Sequence, residues 1–378
     1  MSKSKSSARF RFCGAAVLLA ALVLIVPALQ AGDQQLYLLA GAVAGALALS
    51  LMLLPRLFGL DRLLFSLALY LCVSGIFALL PGETGTAAAQ GFRCLAGLTA
   101  LLAGATLIRV LSPSLITALI SGFLGLMMLS GGLIVPDWPP ALAGIALCLL
   151  LIAFAVLLSL GSTVPALLLC LAGLGLLLFQ GLDLEAVLWS LTFMLVLWAC
   201  EGNLPTVLMT LLLTGLFFLG ASVLREESLF SFSAQTLLPE LSAAGLWGQL
   251  SDSQIPGSAD SSSLFLALTQ RYGLFFSGLT ALLSLPMTLR SVSIATVARS
   301  RFHAALAMGC TLDFALRMLA GLLSHFGVLP ISLLPLPLLT IDAMELASRL
   351  FALGLLCGIS ARNEADLAED AHLAMLAT

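Results

Sequence analysis

The chain has 378 residues, 61% of them hydrophobic and 9% charged, whereas an ordinary soluble domain is about 45–50% apolar and about 25% charged. No water-soluble fold hides that much apolar surface, so the sequence reads as an integral membrane protein. With 16 Lys and Arg against 19 Asp and Glu, it offers no basic face of the kind a nucleic acid requires.

Met1 to Phe12 carries Lys3, Lys5, Arg9 and Arg11 ahead of an apolar run that ends near Ala31. A cleaved secretory signal is the alternative reading. Against it, the run is long enough to span, Leu29 is a poor residue two before a cut after Ala31, and the next apolar segment follows at once. Spans are expected at about 12–31, 35–54, 60–80, 90–111, 114–134 and 139–160. Six more are expected at about 163–181, 183–200, 203–224, 264–289, 302–326 and 334–359, or about twelve crossings in all. The closely spaced pair around Asp183 leaves room for one re-entrant helix. The expected fold class is therefore all-α, a polytopic transmembrane helix bundle.

Charge placement tests the count, because one missed span would reverse the side of every later loop. With the N-terminus inside, Lys3, Lys5, Arg9, Arg11, Arg56, Arg62, Arg109, Arg290, Arg299, Arg301 and Arg362 all fall on the cytoplasmic side. Only Arg93 and Arg225 fall outside, and Arg271, Arg317 and Arg349 lie within helices. Both termini are thus expected in the cytoplasm. The one long polar connection, Arg225 to about Ser263, is expected outside, either as a functional loop or as an inert linker. The tail after Arg362, with Glu364, Asp366, Glu369 and Asp370, is expected to be a short cytoplasmic amphipathic helix.

Cys13, Cys72, Cys94, Cys148, Cys170, Cys200, Cys310 and Cys357 stand singly, with no CxxC pair, and His303, His325 and His372 are equally scattered. No metal site or redox centre is expected from these spacings. No Walker loop, dinucleotide fingerprint or Ser/His/Asp triad is present, so no cofactor is called for. The intramembrane charges are more informative, since each is costly in a bilayer. Asp313 and Arg317 are spaced i, i+4 on one span and Glu345 and Arg349 on another, with Asp342 three residues before Glu345. They are either packing pairs that fix helix rotation or the wall of a polar cavity. In the second case Arg317, Arg349 and Arg271 would meet an anionic headgroup. Asp183 and Glu185 are read as helix N-terminal charges, and Glu201 as interfacial.

Leu329-Pro330-Ile331-Ser332-Leu333-Leu334-Pro335-Leu336-Pro337-Leu338-Leu339 resembles the L-P-x-T-G-x-P-L-P-F-L run before the last helix of the shape, elongation, division and sporulation (SEDS) family, the FtsW, RodA and SpoVE type. Ala243-Ala-Gly-Leu-Trp-Gly248 is similar to that family's G-G-L-F-G, and Ser261-Ser-Ser-Leu-Phe through Tyr272-Gly273 to its T-D-F-I-F-A-V-I-G-E-E-L-G. Asp183-Leu184-Glu185 sits where the family carries D-L-G, and Trp138-Pro139-Pro140-Ala141 near its Q-P-S-E. The likeness divides the chain into 1–84, extra N-terminal spans; 85–362, a SEDS-like bundle with its outer loop at 225–263; and 363–378, the acidic tail.

The resemblance implies a bacterial inner-membrane protein of peptidoglycan synthesis, acting in division, shape or sporulation. Its relatives polymerise glycan strands from lipid-linked disaccharide (lipid II), usually beside a class B penicillin-binding protein. A divalent cation would enter only through the resemblance. In that chemistry a loop aspartate serves as general base and the lipid pyrophosphate departs. Here the aspartate's position is Ser262, and a hydroxyl is no carboxylate base at neutral pH. The nearest carboxylate, Asp260, is offset by two positions. The S-Y-G-G-S-S signature becomes Thr340-Ile-Asp-Ala-Met-Glu345, and E-E becomes Gln270-Arg271. The expectation is therefore a relative with lost or altered polymerising activity, or a site rebuilt on Asp260, Arg271, Asp342, Glu345 and Arg349. The alternative is a transporter or lipid flippase using Asp313, Arg317, Asp342, Glu345 and Arg349 in mid-membrane.

Overall fold

A computed structural model of the chain describes residues 45–46, 49–79, 84–135, 142–225, 245–248, 264–329 and 334–376. The first expected span, most of the second, and nearly all of the outer loop, including Asp260 and Ser262, lie outside the described residues. The helices are α1 (Arg62–Leu79), α2 (Thr84–Val110), α3 (Leu115–Ile134), α4 (Leu142–Ser159), α5 (Thr163–Phe179) and α6 (Asp183–Glu201). They continue as α7 (Leu204–Arg225), α8 (Leu264–Leu282), α9 (Ser284–Val297), α10 (Arg301–His325) and α11 (Ala343–Leu376). Among the described residues the only extended pairing is one bridge between Leu336 and Leu339.

Among the described residues, eight helical segments are long and apolar enough to cross a membrane, α8 and α9 together forming one of them, and α1 and α5 are shorter apolar helices. Short side-chain caps start several of them. Asp61 accepts from the N–H groups of Leu63 (3.1 Å) and Leu64 (3.2 Å) at α1, and Ser114 accepts from Thr117 N (3.3 Å) at α3. Each satisfies donors that a helix start leaves unpaired. Asp61 also receives Arg290 of α9 (Nη2, 2.6 Å; Nε, 2.9 Å) and Ser360 of α11 (3.3 Å), which ties three helices at one end of the bundle.

α4 is the central helix, buried almost continuously from Ala143 to Leu158, whereas α7 packs on α5 and α6 and faces outward along most of its length. α2 and α11 lie unusually close. A methyl group on Gly354 would stand 2.0 Å from the Leu101 carbonyl oxygen, and one on Gly104 2.4 Å from that of Phe351. In a bilayer, where apolar burial supplies little drive for helix association, such small-residue contact is what packing rests on.

Two expectations about elements change. The span expected at 264–289 is broken at Gly273 (φ 85°, ψ 167°), a backbone state closed to residues with a side chain. Residues 264–272 pack instead against the ends of α1 and α10: the Phe265 ring lies 5.1 Å from that of His325, and Arg271 Nη1 donates to the Ala78 carbonyl (2.9 Å). The segment expected as the start of the last span, 334–342, is non-helical, and the helix begins only at Ala343. The prolines explain the delay, since Pro335 and Pro337 supply no backbone N–H and hold the preceding residues extended. The acidic tail is helical and continuous with α11.

Candidate functional site

A cavity of ≈ 220 Å³ opens where α4, α6, α11 and the segment before α11 meet, lined in part by Glu185, Asp342, Glu345 and Arg349 over Gly144 and Pro335. Its polar residues come from local rules acting on different helices. Asp342 caps α11, accepting from Met344 N (2.8 Å) and Glu345 N (3.2 Å) through the same Oδ1, as a carboxylate at a helix N-terminus does. Thr340 just before it donates from Oγ1 to Glu345 Oε2 (3.1 Å). The Leu336–Leu339 turn that delivers Thr340 carries Pro337 at its second position and Leu338 at φ 69°, the backbone of a type II turn, which normally takes glycine there. The strain is held because Leu338 is wholly buried. Gln90 of α2, also wholly buried, donates from Nε2 to the Thr340 carbonyl (2.8 Å) and accepts from Arg93 Nη1 (3.3 Å).

Behind the cavity runs a chain of charge-assisted bonds across three helices. Arg317 of α10, 2% exposed, donates from Nη1 and Nη2 to the two oxygens of Glu185 on α6 (2.6 and 2.5 Å) and from Nε to Asp313 Oδ1 (2.9 Å). Asp313 Oδ2 takes Arg349 Nη1 of α11 (2.8 Å). Bidentate guanidinium–carboxylate pairs of this kind are the strong members of their class, and a buried guanidinium without them would not be tolerated. Arg349 is 4% exposed, and its Nε is buried with no acceptor.

The structure thus brings Arg317, Arg349, Asp342 and Glu345 to one place, with Glu185 and Asp313. Arg271 does not line this cavity, since it is engaged with the Ala78 carbonyl on α1. The i, i+4 pair of Asp313 and Arg317 forms, but Arg349 pairs with Asp313 rather than with Glu345 on its own helix, and Glu345 takes the Thr340 hydroxyl on Oε2. Glu185, read from sequence as a helix-terminal charge, is the bidentate partner of Arg317. Gln90 carried no signal within its own helix, and Asp61 only that of a residue placed to cap α1. Among the described residues no group of three or more His, Cys, Asp or Glu is placed to hold a metal ion, and Cys72, Cys94, Cys148, Cys170, Cys200, Cys310 and Cys357 are free thiols.

No protein-family model matches this sequence, and no curated protein sequence matches it significantly. Solved structures do. A chain of a peptidoglycan synthase complex that coordinates polymerization and crosslinking aligns over 80% of this chain and 98% of its own, at TM-score 0.63 and 19% identity. The rod shape determining protein RodA of Thermus thermophilus aligns over 80% of this chain and 96% of its own, at TM-score 0.56 and 20% identity. The chain has the RodA-type fold. An aspartate-to-alanine variant of the same RodA gives TM-score 0.58 over 97% of its length. The RodA-type fold, the SEDS architecture, is complete here in nearly full-length alignment. About a fifth of this chain lies beyond it, and at such identities the likeness speaks for the fold alone.

Proposed function

We propose that this protein is a divergent SEDS relative of the bacterial inner membrane that works in peptidoglycan synthesis. In this reading it binds the headgroup of a lipid-linked disaccharide at the Arg349 cavity, with its glycan-polymerising activity lost or altered. The supporting observation is the charged cavity itself, lined in a RodA-type fold by Glu185, Asp342, Glu345 and Arg349 and backed by the ion pairs that Arg317 and Asp313 of α10 make with Glu185 and Arg349. Positive charge at the opposite loops supports an outward-facing position for the cavity's end of the bundle, the side on which the family's glycan strands are made. Ser262 at the position of the family's loop aspartate is the reason for proposing lost or altered catalysis. A class B penicillin-binding protein is the partner this reading calls for.

The test uses the full chain in nanodiscs with fluorescent lipid-linked disaccharide, with and without a class B penicillin-binding protein and Mg²⁺. Binding without a glycan ladder is the expected result. A ladder that disappears in Asp260→Ala would overturn the loss of activity, and absence of binding under every condition would overturn the reading as a whole. A second reading, a lipid or solute transporter, draws on the buried chain Glu185, Arg317, Asp313 and Arg349, since ionisable groups within a membrane commonly line pathways. Headgroup movement in proteoliposomes that is unchanged in Asp313→Asn would count against it.

A further inference from the structure

The arginines of this chain are not compensated evenly. Arg290 pairs with Asp61, Arg301 with Glu201, and Arg317 and Arg349 with carboxylates on neighbouring helices. Arg93 and Arg271 donate to Gln90 and to the Ala78 carbonyl. Among the described residues Arg56, Arg109 and Arg362 make no ion pair, and all three are exposed.

These three are distant in sequence and stand around one turn. Arg109, at the end of α2, donates from Nη2 to the Phe58 carbonyl, and that nitrogen lies 3.5 Å from where a methyl on Gly59 would stand. The Cβ of Ala361 on α11 lies 3.8 Å from the same point, and Arg362 follows it. Helical register carries Arg362 over the end of α2. Gly354, Gly358 and Arg362 recur every four residues along one face of α11, and the two glycines meet Leu101 and Ile108 of α2. Arg56 lies in the last turn of the short helix 49–57 that leads into Phe58.

The neighbouring acid is already committed. Both oxygens of the buried Asp61 are taken, Oδ1 by the first N–H groups of α1 and Oδ2 by Arg290 and Ser360. Glu364 lies about 200° around α11 from Arg362, and Asp366 stands one turn further along it. Like charges gathered at one turn repel one another, and an anion between them turns that repulsion into attraction.

The setting identifies the anion. Arg109 and Arg362 fall in the last turns of the membrane-length segments Ala89–Val110 and Ala343–Ala365, so the turn sits at the edge of the hydrocarbon. Leu53, Leu57 and Val110, beside the arginines in sequence, are large apolar side chains exposed at the same level. A soluble anion gains nothing from them. A phospholipid uses both features, its phosphate on the guanidinium forks and its acyl chains along the leucines. Basic pockets between helix ends hold anionic headgroups in this manner.

We infer that the corner formed by Arg56, Arg109 and Arg362 is a binding site for the phosphate headgroup of an anionic phospholipid, in the leaflet that meets this end of the bundle. A phosphate held by all three ties helix 49–57 to α2 and α11. The site is independent of the proposed function.

The experiment titrates the full chain in detergent with phosphatidylglycerol and with phosphatidylcholine of the same acyl chains, counting bound lipid by native mass spectrometry. The first phosphatidylglycerol is expected to bind roughly tenfold or more tightly than phosphatidylcholine, at about fivefold for each guanidinium beside an anionic headgroup. Arg56 and Arg362 make no bond on which the fold rests. The double variant Arg56→Gln, Arg362→Gln should therefore unfold at the wild-type temperature in lipid-free detergent, and lose roughly tenfold or more in phosphatidylglycerol affinity. Arg301→Gln, at the Glu201 pair, should leave that affinity unchanged, and glycerol 3-phosphate at equal concentration should not displace the lipid. Equal binding of the two lipids, unaltered affinity in the double variant, or an equal loss in Arg301→Gln would overturn the site. Displacement by glycerol 3-phosphate would reassign it to a free phosphate and overturn the lipid.

Discussion

At the scale of single residues, the charges are few and each closes a specific gap. Asp61 serves as cap, counter-ion and hydrogen-bond acceptor for three helices at once. Removing it in Asp61→Ala should cost about 1 kcal/mol for the cap and about 1.5 kcal/mol for the charged bond. Arg290→Gln should cost less than half of that total, because Arg290 is partly exposed and the cap survives. Thermal unfolding in detergent checks this, and equal losses would argue against the capping role. Around the cavity, Glu185→Gln should destabilise by about 3 kcal/mol, as breaking one side of a buried pair does. Asp342→Asn should cost well under 1 kcal/mol, since asparagine caps nearly as well. The same unfolding measurement separates the two.

At the scale of elements, glycines decide which helices touch. Gly354→Ala should cost about 1–3 kcal/mol by pushing the α2 backbone away, because its methyl would meet a carbonyl rather than a movable side chain. Gly91→Ala, on the same α2 but with open space around it, should be neutral or stabilising by up to about 1 kcal/mol from helix propensity. Unfolding of the two variants should therefore move in opposite directions. The break at Gly273 works differently. Leu274 N and Phe275 N, beyond the break, bond to the carbonyls of Gly245 (3.0 Å) and Leu246 (3.2 Å). A methyl on Gly248 would lie 2.3 Å from the Arg271 carbonyl, and one on Gly273 2.2 Å from that of Leu246. Gly248→Ala and Gly273→Ala should both speed protease cleavage of the 249–263 segment. Gly278→Ala, in open space, should leave the cleavage rate unchanged.

At the scale of the whole molecule, most spans within the described residues were legible because an apolar stretch of about 20 residues is long enough to cross a bilayer as one helix. The family likeness was legible because it rides on prolines and glycines that shape the backbone, and the RodA-type fold bears it out. The cavity was legible only where its partners share a helix. Asp313 and Arg317 are four residues apart and announced themselves, whereas Glu185 and Arg317 are 132 apart and Asp313 and Arg349 are 36 apart. Helical periodicity cannot see across such separations. The break at Gly273 was hidden for a related reason, since an apolar run reads as one span whether or not it is continuous. The orientation deduced from the arginines has its own check at this scale. In a cysteine-free background, a cysteine at Ser112 should react with impermeant reagent only from the cytoplasmic side, and one at Val135 only from outside. The reverse pattern would invert the bundle.

The meeting of Gly248 with Gly273 is made of main-chain atoms on both sides, and these are the two glycines shared with the family's G-G-L-F-G and E-E-L-G runs. A tether of that kind is indifferent to the side chains it carries. Substitutions at Ser262 or Asp260, beyond Gly248, should accordingly leave that main-chain contact in place. Such a contact ties the start of the loop to the middle of the bundle without drawing on any side chain, so the anchorage of the loop and its chemical content are set by different parts of the sequence.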